Sequence, residues 1–80
     1  MKESGTQLEP APYGTPDAYR QVIQEALWRI RVQAQLGDLY VAAGDDAGLV
    51  YAMRQLVAYV RLAMSTLGDL QEMKAARRRG

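Results

Sequence analysis

The residues best placed to do chemistry in this chain are two pairs of acids and one run of bases. Asp45 and Asp46 are adjacent, and Asp69 and Glu72 stand one helical turn apart. Paired carboxylates can act as acid and base or hold a hard cation, but either use needs further groups beside them: a histidine, more oxygen ligands or a glycine-rich phosphate loop. None flanks either pair. The chain has neither His nor Cys, so imidazole bases, imidazole and thiolate ligands and disulfides are all excluded. Ser65 and Thr66 fall in a helical stretch with no base beside them. The acids read as helix caps and surface pairs. The expectation is a protein with no catalytic residues, no metal site and no cofactor.

The bases are Lys74, Arg77, Arg78 and Arg79 at the C-terminal end. Cations there offset the negative end of a helix dipole. The same four could contact phosphate or an acidic partner. The run is short, without interleaved aromatics or helix-turn-helix spacing, which makes nucleic acid the less favoured partner.

The elements that carry these residues are helices. From Leu49 to Leu70 the residues Leu49, Met53, Leu56, Val60, Ala63, Leu67 and Leu70 alternate by four and three, the spacing of a coiled-coil seam. Val50, Val57 and Met64 on one side of it, and Ala52, Tyr59 and Met73 on the other, widen the apolar stripe beyond what a two-stranded zipper uses. An earlier helix begins at Thr15-Pro16-Asp17, with Thr15 capping, Pro16 at the first helical position and Asp17 at the positive end of the dipole. Gly44 is its natural left-handed stop, and Asp45 or Asp46 caps the next helix. A link this short folds the second helix back antiparallel to the first.

At 100° per residue the first helix is apolar on two sides. Tyr19, Ile23, Ala26, Leu27, Ile30, Ala34, Gly37 and Val41 make one face; Trp28, Val32, Leu36, Leu39 and Ala43 make another, nearly opposite. One hairpin partner covers one face. The hairpin seam is therefore expected at Ile23, Leu27 and Ile30 against Leu49, Met53, Leu56, Val60, Leu67 and Leu70. Trp28, Val32, Leu36, Leu39 and Ala43 are expected to form a protein interface, tryptophan being a frequent interface anchor, although a lone Trp in a small bundle is also often core.

Eighty residues allow one domain at most, and a core of this size is marginal without a staple or a second copy. The expected fold class is all-α: an antiparallel two-helix hairpin completed as a four-helix bundle by homodimerisation or by docking on a partner. The expected organisation is a flexible N-terminal arm over 1–15, a helix over 16–43, a turn over 44–46, a helix over 47–76 and a basic tail over 77–80. The arm has the composition of an unstructured leader, with Pro10 and Pro12 and no periodicity. The net charge of +1 argues against a general polyanion binder. No apolar leader is visible, so the expected location is the cytoplasm. The apolar stretch 48–67 is broken by Arg54, Gln55 and Arg61, and each central Arg costs about 2.5–3.5 kcal/mol in a bilayer, which argues against a span.

In length and outline the chain is similar to several groups of small helical hairpins. Secreted hairpins with a Trp-x-Gly turn differ from it at Gly44-Asp45-Asp46-Ala47-Gly48. Type III secretion needle subunits carry prolines in the turn, whereas all three prolines here precede the first helix. Small all-helical phage inhibitors are similar in size and class alone. The expected function is a non-enzymatic interaction module (a small adaptor, chaperone or inhibitor, of the kind phages encode) that self-associates, preferably as a dimer, and occludes or scaffolds a larger protein. The alternative is a nucleic-acid-associated or repeating-assembly subunit that uses the basic end.

Overall fold

The computed structural model describes residues 14–79, which form two helices packed against each other, α1 (Pro16–Ala43) and α2 (Asp46–Arg79). Most of the expected N-terminal arm lies outside the described residues. Local chemistry sets the ends of α1. Thr15 is extended, and its Oγ1 accepts from the Ala18 N–H at 3.2 Å while Pro16 begins the helix. At the other end Gly44 adopts φ 69°, ψ 23°. Its N–H donates to the Val41 carbonyl at 3.1 Å, and the Asp45 N–H donates to the Tyr40 carbonyl at 2.9 Å. This is a Schellman closure, which satisfies carbonyls that the helix end would otherwise leave without donors.

Asp45 then serves α2 as well. Its Oδ1 accepts from the Gly48 N–H at 2.9 Å and its carbonyl accepts from the Leu49 N–H at 3.0 Å. Because one residue finishes one helix and caps the next, α2 starts at Asp46 and the reversal is tight. Gly48 is required there by packing. A Cβ at that position would lie 2.6 Å from the Tyr40 ring and 2.8 Å from Asp45 Oδ2.

The most enclosed positions between the helices are mainly small residues. Ala26 and Ala52 are each 1 % exposed, and Gly37, Thr66 and Leu70 are also buried. The line of contact runs on α1 through Tyr19, Ile23, Ala26, Ile30, Gln33, Gly37 and Tyr40 and on α2 through Leu49, Ala52, Leu56, Tyr59, Ala63, Thr66, Leu70 and Met73, all enclosed or half-enclosed. Both sets alternate by three and four, as two packed helices require. Thr66 Oγ1 donates to the Leu62 carbonyl at 2.8 Å, which satisfies the one buried polar side chain among the described residues. Gln33 Oε1 is enclosed and accepts no hydrogen bond from the described residues.

Two expectations change here. The seam takes one α2 column in place of its neighbour: Ala52, Tyr59 and Thr66 are enclosed, while Met53, Val60 and Leu67 remain exposed, as does Leu27 on α1. The reason is steric. Ala26, Gly37 and Ala52 let the two backbones approach, and turning Met53 inward would hold them apart. The end of α2 differs too. It runs on to Arg79, so Arg77, Arg78 and Arg79 form its last helical turn and are not a separate tail.

Candidate interaction surface

A two-helix layer has two broad flanks, and one contact identifies which sides of α1 and α2 share a flank. The Arg29 guanidinium lies 5.7 Å from the centroid of the Tyr59 ring and pairs with Glu25 Oε2 at 3.2 Å. This flank is mixed in character. The hydrogen bond that Arg29 donates to Glu25 first, then its interaction with Tyr59, raises Arg29 above its ordinary guanidinium value.

The other flank is apolar. At 100° per residue, Leu27, Ala34 and Val41 of α1 lie on the same side as Met53, Val60 and Leu67 of α2. All six are exposed; Val41 is 62 % exposed and Met53 50 %. Arg20 and Asp38 stand at the α1 edge of this strip. They are about five helical turns apart, so they project along one line. Leu27, Met53, Val60 and Leu67 thus occupy this flank, whereas Ile23, Ile30, Leu49, Leu56 and Leu70 lie at the interface between the helices.

The tryptophan strip runs along α1 only. Trp28 is 54 % exposed and Leu39 66 %; Val32 and Leu36 are half-buried, and Ala43 is exposed beside the turn. A shallow depression of about 600 Å³ beside Trp28 is lined by Gln21, Gln24, Glu25, Leu27 and Arg31.

At the open end of the hairpin an open cleft of about 400 Å³ is lined by Pro16, Arg20, Lys74, Arg77 and Arg78. Arg79 follows, exposed. The fold adds Arg20 to the group that the linear sequence suggests, because the first turn of α1 lies beside the last turns of α2. Arg20 also pairs with Asp17 at 3.1 Å.

The acids that could have done chemistry are dispersed. Asp45 caps α2, and Asp46, Asp69 and Glu72 are exposed. Among the described residues no three His, Cys, Asp or Glu side chains gather where they could hold a metal ion. No described helix is long and apolar enough to cross a membrane. Comparison with known proteins finds no matching family model, no matching curated protein and no matching solved structure.

Proposed function

We propose that this chain is a non-enzymatic protein–protein interaction module that self-associates through its apolar flank and offers the Trp28 strip to a larger protein. One observation carries the reading: among the described residues no large side chain is fully enclosed, while Leu27, Val41, Met53, Val60 and Leu67 lie open on one flank. Two helices that meet over alanine and glycine have little core of their own. Stacking a second hairpin on the apolar flank makes a four-helix bundle and supplies the missing burial. The action is then occlusion or scaffolding. With neither His nor Cys in the chain, this reading assigns it no nucleophile–base pair.

Sedimentation of the full chain against its Met53→Asp/Leu67→Asp variant tests this. The parent is expected at twice the mass of the chain and the variant at the mass of one. Trp28→Ala, on the other strip, is expected to leave the mass unchanged. A parent that stays helical as a single copy at high concentration overturns the reading.

The basic cleft favours a second reading, contact with a phosphate-bearing or acidic partner through Arg20, Lys74, Arg77 and Arg78. It requires binding that weakens steeply with salt and is lost on deletion of 77–79.

A further inference from the structure

The charges of the hairpin are segregated along its length. Between Arg31 and Arg54 the charged residues are Asp38, Asp45 and Asp46, all at the turn end. Arg20, Lys74, Arg77, Arg78 and Arg79 gather at the open end, where Asp17 is engaged with Arg20. Asp69 and Glu72 lie on the side of α2 away from Lys74, by helical geometry.

A two-fold dimer that buries the apolar flank has two arrangements. In one, the two turns lie at the same end, and like charges stand together at both ends. In the other, the copies run in opposite directions, α1 lies along α1 of the partner, and the turn of each copy lies alongside the open end of the other. The midpoint between Arg20 and Asp38 falls between Leu27 and Ala34, within the apolar strip. A two-fold axis there sets Arg20 of each copy against Asp38 of the other, at two points along the α1 edge of the contact.

Resting on the self-association proposed above, we infer that the occupant of the apolar flank is a second copy of this chain in the opposite direction, with charge complementarity between turn end and open end selecting that orientation. Opposite charges steer the encounter, and the alternative arrangement is disfavoured by like-charge contact at both ends.

The chain has no cysteine, so Ala47→Cys, exposed beside the turn, takes a single nitroxide label in the full-length protein. Pulsed dipolar spectroscopy on the labelled dimer is expected to give a separation of roughly 40 Å or more, twice the helical rise between the turn and the middle of the strip. A separation under about 30 Å, the diagonal reach across two stacked pairs of helices at one end, overturns the orientation and leaves self-association standing. If another protein or a nucleic acid covers the flank instead, the chain sediments as a single copy, and both inferences fall together. Charge reversal gives an independent reading. Arg20→Asp and Asp38→Arg each weaken dimerisation roughly threefold to tenfold, as two equivalent exposed ion pairs would, and the combined variant recovers it. Failure of the combined variant to recover overturns the charge pairing.

Discussion

The two ends of this hairpin solve the problem of stopping a helix in different ways. At the turn, the last carbonyls of α1 and the first amides of α2 are paired between Tyr40 and Gly48: Gly44 and Asp45 donate to Val41 and Tyr40, and Asp45 accepts from Gly48. The Tyr40 ring closes over Gly48. At the open end α1 is capped by Thr15, but α2 finishes on a run of arginines with no side-chain cap among the described residues. The turn is thus stabilised by short-range hydrogen bonds and contact. The open end depends on charge and on what comes alongside it. Hydrogen bonds enforced by a tight loop act locally and resist salt, whereas exposed charges act at longer range and are screened.

The strongest way to break this contrast is at the glycines of α2. Gly48→Ala is expected to lower unfolding stability by about 1–2 kcal/mol, because displacing Tyr40 and the capping carboxylate outweighs the gain in helix propensity. Gly68→Ala, toward the open end, is expected to raise it by about 0.5–1 kcal/mol, since nothing lies within 4 Å of the added carbon. Urea unfolding at one fixed protein concentration compares them while holding association constant. Equal signs for the two would remove the packing role given to Tyr40.

Removal of the cap comes next. Asp45→Ala is expected to cost about 1 kcal/mol, with Asp45→Asn or Asp45→Ser recovering most of it by the same urea measurement. If all three lose equally, the carboxylate acts through its charge and not as a hydrogen-bond acceptor. The smallest effect belongs to the open end. Arg77→Gln/Arg78→Gln is expected to change unfolding stability by less than about 0.5 kcal/mol, because both side chains are exposed. The same variant should flatten the salt dependence of self-association, and a salt dependence unchanged from the parent would separate these arginines from the contact.

The candidate surface was only partly legible in the residues. Trp28 and Leu39 stand out in the linear pattern because the first helix is apolar on more sides than one neighbour can cover, and both are exposed in the folded chain. Met53, Val60 and Leu67 were concealed by their own spacing, since they repeat as well as the seam residues do. Periodicity measures how apolar residues recur. It carries no information on how closely two backbones come together, and that distance decides which of two adjacent columns is enclosed. Arg20 escaped notice for a related reason: its neighbours Lys74, Arg77 and Arg78 are remote in the chain and meet it only when α2 folds back.

By itself the sequence determined where α1 starts and stops, through Thr15, Pro16 and Gly44, and that a reversal as short as Gly44-Asp45 must lay two helices side by side. It also determined that neither imidazole nor thiol chemistry is open to the chain. The tertiary structure alone decided the rotation of α2 about its axis. A stripe three columns wide can be buried in more than one way, and the close approach permitted by Ala26, Gly37 and Ala52 selected the way that leaves Met53, Val60 and Leu67 outside.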